Sequence, residues 1–164
     1  MLVIDDHLLL ALLLERPTRA FDRLRAGKRV FTTGLWSHRM CRALTASEVS
    51  GALSTRLGAV EPAVARQVIA AAIELSPTIG LVTLRDLSWP MAEILTSISA
   101  NLLTLEALAA AQHLQANIVV AKRNDGPQLR RHAQQLAISI RSISPDISRH
   151  QSVSEPCSGI LTCD

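Results

Sequence analysis

The sequence predicts an α/β domain with a mostly parallel central sheet of about five strands, flanked by helices. The first reason is that short runs of branched aliphatic residues alternate with longer stretches of helix formers from residue 1 to about residue 140. The second is composition: of 164 residues, 48% are hydrophobic and 2% aromatic, enough for a core built from Leu, Ile, Val and Ala. Because crossovers through helices are right-handed, neighbouring strands are expected to be parallel.

The first part of the chain predicts two strands separated by two helices. A β-prone run at 1–5 ends in an acid and is followed directly by 6–15, which consists of strong helix formers. Pro17 allows a second helix to begin, and Gly27 ends it. Residues 29–33 are β-branched and aromatic between two glycines, which indicates the second strand.

The middle of the chain predicts two further helices and a third strand. Residues 35–57 are mostly helical, with a soft break at 45–50. A Glu-Pro pair opens another helix at 61–75, which a Ser-Pro pair stops. The apolar run at 79–84 is predicted to be the third strand.

The remaining elements complete the predicted sheet. Helices are expected at 86–100 and 102–115, followed by a buried strand at 117–121. A Gly-Pro pair then begins a helix at 126–136. A short fifth strand is predicted at 137–140.

The chain is predicted to form one domain at 1–141 and a polar, disordered tail at 142–164, because Ser, Pro, Asp, His and Gln dominate after residue 141. The three cysteines follow neither a zinc nor a disulfide pattern, which favours the reducing cytoplasm. The longest apolar run, at 8–14, is far shorter than the roughly 20 residues that cross a bilayer, so no membrane association is expected.

Composition and motifs exclude several function classes. The sequence contains no glycine-rich dinucleotide motif, no P-loop and no nucleophile elbow. The scarcity of aromatic residues argues against stacking platforms for bases, and Trp36 and Trp89 are interpreted as packing anchors. The formal net charge of +3 permits contacts with RNA phosphates without requiring them.

The predicted topology locates the functional residues. In an open parallel sheet, sites form at the carboxyl ends of the strands. Asp5, the residues after Thr33, and residues 122–125 are therefore expected to lie along one edge.

Three segments resemble the PIN-domain family, in particular its VapC-type toxin ribonucleases. MLVIDDHLLLALL at 1–13 resembles the first strand and helix of that family. LTLEALAAA at 103–111 resembles its Ser/Thr-x-Asp-Ala helix, and NIVVA at 117–121 followed by QLRRHA resembles its closing strand and helix. The order of elements agrees from residue 1 to about 140. The resemblance implies metal-dependent hydrolysis of phosphodiesters, in which clustered carboxylates hold Mg²⁺ or Mn²⁺.

The resemblance also implies roles for individual acids. Asp5 matches the first acid of the family, with Asp6 as an adjacent candidate, and Glu106 matches the third, where Asp is usual. Asp125 serves as the fourth acid only if its loop turns back. These four residues form the expected metal-binding set, and Asp5, Glu106 and Asp125 are the expected catalytic residues.

Two acid positions of the family carry cations in this chain. The segment 36–44 resembles a Trp-x-x-Glu-x-x-x-Ala-Leu pattern with Arg39 in place of Glu, and Lys122 stands most directly at the fourth position. Two carboxylates beside these cations are about neutral without a metal ion. Arg39 is expected to form an ion pair with Asp5 or Glu106, and such a site repels Mg²⁺.

Three functions remain open. The leading hypothesis is a VapC-related cytoplasmic protein with a degenerate nuclease site and weak or no catalysis, which binds RNA or an antitoxin-like protein. The second is an active Mg²⁺- or Mn²⁺-dependent endoribonuclease of a toxin–antitoxin pair. The third is an α/β interaction module without a nucleic-acid role. The resemblance further implies a homodimer, because the family commonly pairs.

Overall fold

The computed structural model describes residues 1–13, 17–45, 67, 70 and 74–144. Its five strands are β1 (Leu2–Ile4), β2 (Val30–Thr33), β3 (Ile79–Val82), β4 (Asn117–Ala121) and β5 (Ile140–Ile143). They form one parallel sheet in the order β3–β2–β1–β4–β5. The predicted α/β class with a parallel five-stranded sheet is confirmed.

Six helices flank the sheet within the described residues. They are α1 (Asp6–Leu13), α2 (Arg19–Arg25), α3 (Gly34–Thr45), α4 (Leu84–Leu95), α5 (Leu102–His113) and α6 (Pro127–Gln135). A 3₁₀ turn (Lys122–Asn124) separates β4 from α6. In the described part of the chain, none of the helices is both long and apolar enough to span a membrane.

The centre of the sheet is buried on both faces. All three residues of β1 and the last four of β4 have no exposed surface. Val3 and Val120 belong to an apolar cluster with α4, α5 and α6, whereas Ile4 and Val119 belong to a second cluster with α1 and Phe21. This arrangement follows from the period of two in a strand, which turns alternate side chains to opposite faces. The helices therefore cover the sheet on both sides.

The parallel register brings the strand ends together in two opposite places. We call the side where Asp5, Gly34 and Lys122 leave the sheet the carboxyl edge. The opposite side, where Arg29 and Ser139 enter the sheet, is the amino edge. The prediction that Asp5, the residues after Thr33 and residues 122–125 share one edge is confirmed.

The fifth strand begins three residues later than predicted. Ala137 adopts a left-handed backbone with φ of 54°. The Ile138 N–H then donates to the Ala133 carbonyl at 2.8 Å, so residues 137 and 138 close the end of α6 instead of starting a strand. Because β5 continues to Ile143, residues 142 and 143 belong to the sheet and not to the predicted tail. Residues 145–164 lie outside the described residues.

Other predicted boundaries differ for local reasons. The third strand ends at Val82 because Asp86 accepts hydrogen bonds from both the backbone N–H and the hydroxyl of Thr83, which starts α4. Trp36 is buried as predicted, but Trp89 is 73% exposed, so its interpretation as a packing anchor is wrong. Most of the predicted helix at 61–75, and the predicted break after Thr45, lie outside the described residues.

Candidate functional site

Asp5 joins three elements at the carboxyl edge. It follows β1 directly, and its Oδ1 accepts the Leu8 N–H at 3.0 Å, which caps the first turn of α1. Its Oδ2 accepts the Ala121 N–H at 2.9 Å, at the end of the neighbouring strand β4. The carboxylate has no exposed surface. Asp5 therefore connects the ends of two central strands to the start of a helix.

Asn124 bridges two carboxylates. The 3₁₀ turn after β4 carries Asn124 back over the carboxyl edge, where its Nδ2 donates to Asp5 Oδ2 and to Asp6 Oδ1, both at 2.7 Å. An amide nitrogen carries two hydrogens and so satisfies one oxygen of each acid. Asn124 is not among the residues expected at the site, although the loop at 122–125 was expected on this edge.

Arg39 completes a closed set of contacts. Its Nε lies 2.9 Å from Asp6 Oδ2, and its Nη2 donates to Asn124 Oδ1 at 3.0 Å. Asp5, Asp6, Asn124 and Arg39 thus form one hydrogen-bonded unit, which we call the edge network. The guanidinium occupies the position where the resemblance expects an acid. It pairs with a carboxylate as predicted, but with a different one.

The expected pairing of Arg39 with Asp5 or Glu106 is wrong for a geometric reason. The oxygens of Asp5 already accept three N–H groups. The carboxylate of Glu106, which belongs to α5, contacts the first turn of α3. Arg39 lies further along α3, and α3 packs against α1. Asp6, the first residue of α1, is therefore the acid within its reach.

Glu106 caps a helix from a distance in sequence. It is fully buried on α5, and its Oε1 and Oε2 both accept the Leu35 N–H, at 3.2 and 3.0 Å. Gly34 begins α3 at this point, and a Cβ added there would lie 3.4 Å from Oε1. The small residue thus lets the carboxylate approach the first turn. The negative charge faces the positive end of the helix dipole, which stabilises both.

Burial changes the acidity of both buried carboxyls. Burial raises the pKa of Asp5 above its ordinary value; hydrogen bonds from neighbouring amides oppose this increase, and the negative charge of Asp6 adds to it. Burial also raises the pKa of Glu106, against hydrogen bonds from Thr33 and from backbone amides of α3. Both groups therefore hold a proton more readily than exposed acids do.

Asp125 and Lys122 lie apart from the edge network. Asp125 Oδ1 accepts a hydrogen bond from Arg130 Nε at 2.6 Å, and this contact lowers the pKa of Asp125. Since the 3₁₀ turn directs Asn124 inward, the next side chain is engaged on the α6 side. Lys122 is exposed and makes no ion pair within the described residues, and its expected effect on the charge of the site stays a prediction. The catalytic and metal-binding roles expected for Asp125 stay predictions.

The arrangement of the acids does not suit the divalent ion that the resemblance implies. Among the residues that the structure describes, no three His, Cys, Asp or Glu side chains are grouped so that they could hold a metal ion. Mg²⁺ and Mn²⁺ need oxygen ligands with lone pairs directed at the ion. In the edge network, N–H groups of Asn124, Arg39 and the backbone already contact all four carboxylate oxygens of Asp5 and Asp6.

A cleft of about 360 Å³ adjoins the edge network. Arg39 and Asn124 form part of its wall, together with Trp36 and the first residues of α5 and α6. Asn101 caps α5 by accepting the Thr104 N–H at 2.9 Å, whereas no side chain caps the start of α6. Two positive helix ends and one guanidinium thus border the same space, which favours an anionic group.

Comparison with known proteins identifies no relative of this chain. No family model matches the sequence, and no curated protein matches it. The resemblance to the PIN-domain family rests on three segments of the sequence, and the structure shows the α/β fold alone.

Proposed function

We propose that this chain is a PIN-like, VapC-related protein that binds RNA through a phosphodiester group in the cleft and does not hydrolyse it. The observation that carries the proposal is the edge network. Arg39 stands where the resemblance expects an acid, and it is bound to Asp6 and Asn124. In this proposal the protein acts in the cytoplasm. An antitoxin-like partner and a second copy of the chain stay predictions from the resemblance.

The absence of hydrolysis follows from how the carboxylates are used. Activation of water by a metal ion requires acids that are free to coordinate it. Asp5 and Asp6 accept hydrogen bonds from Asn124, and Asp6 also forms the ion pair with Arg39. A cation entering this space would have to break these contacts beside a positive guanidinium. The network therefore replaces the metal ion as the neutralising group.

RNA binding follows from the chemistry of the cleft. The Arg39 side chain is 42% exposed, and its two contacts leave further N–H donors of the guanidinium. The cleft volume of about 360 Å³ suits a small anionic group. Contacts to phosphate fix the position of the chain without reading its sequence. We therefore expect binding that depends strongly on salt and weakly on RNA sequence.

Two measurements on the same preparation test the proposal. Fluorescence anisotropy with a labelled single-stranded RNA is expected to show that the wild type binds RNA less tightly as salt increases. Arg39→Gln is expected to bind the RNA less tightly than the wild type does at the same salt concentration. Arg85→Gln on α4, which removes an exposed cation elsewhere, is the matched control. After incubation with millimolar Mn²⁺, the RNA is expected to remain intact on a denaturing gel.

Thermal melting with Mn²⁺ supplies the test of the metal chemistry. The melting temperature of the wild type is expected to stay constant, because a ligand stabilises a fold only if it binds it. The melting temperature of Arg39→Glu, which restores the acid of the family pattern, is expected to rise when Mn²⁺ is added. RNA cleavage by the wild type that disappears in Asp5→Ala would overturn the proposal in favour of an active endoribonuclease. Absence of any RNA binding would contradict it as well.

A further inference from the structure

We propose a second RNA-binding surface at the amino edge, on the exposed side of α2 and the turn that follows it. This inference rests on the proposed function, because it extends the path of the same RNA, and it concerns residues far from the edge network. The surface consists of four exposed cations: Arg19, Arg23, Lys28 and Arg29. We call these four residues the basic face.

The basic face carries charge that the described residues do not neutralise. Between residues 17 and 29 the chain has five cations and a single acid, Asp22. Asp22 is committed to Arg25, whose Nη2 lies 2.7 Å from its Oδ1. Within the described part of the chain, none of the four remaining cations makes an ion pair. The described part of the chain therefore leaves their charge without an ionic partner.

Helix stabilisation explains only part of this cluster. Cations near the end of a helix interact favourably with its dipole, which accounts for Arg23 and Arg25 in the last turn of α2. Arg19 is the first residue of the same helix, directly after the capping Thr18. A cation there faces the positive end of the dipole and is unfavourable. Its presence is better explained by binding than by stability.

The backbone sets the spacing of the cations on α2 and orders the turn that follows. Arg19 and Arg23 are four residues apart, so they share one side of α2 and rise by about 6 Å along it. The left-handed Gly27, with φ of 69°, turns the chain toward β2. The Lys28 N–H donates to the Arg25 carbonyl at 2.9 Å, which fixes the turn. Cations on an ordered backbone suit the phosphates of an extended strand.

Arg29 is oriented by the ring of Phe31, which packs on the face of the sheet opposite to α2, so its guanidinium borders the amino edge from that face. Its guanidinium carbon lies 5.3 Å from the centre of the Phe31 ring, and its carbonyl accepts the Leu2 N–H at 3.0 Å. The cation–π contact and the strand pairing limit the motion of the side chain. Less conformational freedom is then lost when the guanidinium binds a phosphate.

The composition of this surface favours a nucleic acid over a protein partner. The large apolar residues of α2 are turned inward: Phe21 is fully buried and Leu24 is half-buried. The exposed neighbours of the cations are small, namely Ala20, Ala26 and Gly27. Protein interfaces depend on apolar or aromatic anchors in their centre. A phosphate backbone requires cations and close approach, and the basic face provides both.

RNA binding by the full chain tests the inference. In a salt titration with a single-stranded RNA of mixed sequence, Arg23→Gln/Lys28→Gln is expected to reduce the slope of log affinity against log salt by about 1.4, or about 0.7 per lost contact. Its affinity at low salt is expected to fall at least about tenfold. Arg85→Gln/Arg141→Gln, which removes two exposed cations elsewhere, is the control for net charge. An equal loss in this control would overturn the inference.

Charge reversal at one position separates binding from folding. Arg19→Glu is expected to raise the melting temperature, because an acid suits the first turn of α2, and at the same time to weaken RNA binding. Misfolding cannot produce opposite changes of this kind. A variant that is more stable and binds RNA as the wild type does would contradict the inference.

Arg39→Gln measured in parallel distinguishes the two proposals. If only the variants of the basic face weaken binding, the cleft is not the RNA site and the proposed function fails while the basic face stands. If only Arg39→Gln weakens binding, the cleft stands and the basic face is overturned. If the wild type binds no RNA, both proposals are wrong.

Discussion

Charge is arranged differently at the two edges of the sheet. At the carboxyl edge, Asp5 and Asp6 meet Asn124 and Arg39 at distances of 2.7 to 2.9 Å. At the amino edge, the cations of the basic face have no ionic partner within the described residues. The acids Asp5 and Asp6 at the carboxyl edge are therefore paired, whereas the cations of the basic face have no ionic partner in the described part of the chain.

The backbone shows the same difference. At the carboxyl edge, acids cap the first turns of α1 and α3, and Glu106 does so from another helix. At the amino edge, the turns that follow α5 and α6 contain Gln115 and Ala137, whose left-handed φ values of 49° and 54° are unfavourable for side chains with a Cβ. Stabilising contacts are thus concentrated at one edge and strain at the other. Strain and unpaired charge are frequent at binding surfaces.

The largest expected effect comes from Asp5→Ala. We expect it to lower the free energy of unfolding by about 3–5 kcal/mol. The N–H groups of Leu8 and Ala121 and the amide of Asn124 each lose the buried carboxylate that accepts their hydrogen bonds. Urea denaturation at neutral pH measures the change. Glu93→Ala on the exposed side of α4 is the control, with an expected effect within about 0.5 kcal/mol. A loss below about 1 kcal/mol would show that the carboxyl edge does not depend on this acid.

Glu106→Gln sharpens the comparison through pH. Because burial raises the pKa of Glu106 in the folded state, its stabilising contribution is present below the unfolded-state value and is lost as pH rises through the folded-state value. Each unit of increase corresponds to about 1.4 kcal/mol. The stability of the wild type relative to Glu106→Gln is therefore expected to fall from about pH 4 to pH 7. Unfolding measured at both pH values isolates this change from the constant cost of the substitution.

Asp86→Asn provides a control of opposite sign. Hydrogen bonds from Thr83 lower the pKa of Asp86, so its contribution is present above the unfolded-state value and is lost as pH falls through the folded-state value. The wild type is then expected to gain stability relative to Asp86→Asn as pH rises. If the wild type also gains stability relative to Glu106→Gln as pH rises, burial does not control the acidity of Glu106.

The smallest expected effect is a gain in stability from a substitution at the amino edge. Ala137→Gly is expected to raise the free energy of unfolding by about 0.5–1 kcal/mol, because glycine adopts the left-handed conformation without steric cost. Ala26→Gly is the matched control: this exposed alanine has φ of −52°, and glycine there is expected to destabilise. Thermal melting of both variants measures the two directions. A lower melting temperature for Ala137→Gly than for the wild type would indicate that the turn after α6 is not strained.

Local sequence patterns predicted the elements and two of the buried acids. Asp5 was recognisable because it directly follows a β-prone run, and Glu106 because it lies in the first turns of a helix. The position of β5 was not predictable in this way, since the left-handed turn that delays it uses Ala137 where glycine is usual. The exposure of Trp89 was open to prediction, because it lies outside the stripe of Leu87, Met91 and Ile94 that α4 buries.

The contacts within the site depend on packing between distant segments. Arg39 pairs with Asp6 because α1 packs against α3, and the sequence contains no local sign of this contact. Asn124 enters the edge network because a 3₁₀ turn follows β4 and sends its side chain inward. A shift of this turn by one residue would have presented Asp125 instead. Local patterns therefore predict which edge carries the site, and the tertiary arrangement selects the residues.

A single substitution, Asn124→Asp, would change the charge of the edge network. The codons for Asn and Asp differ by a single base, and the two side chains have nearly the same shape. With Asp at this position, two hydrogen-bond donors would become a third carboxylate facing Asp5 and Asp6, and the shared space would demand a positive ion. The same backbone thus supports two opposite electrostatic designs. Mutational drift can interconvert them without remodelling the fold.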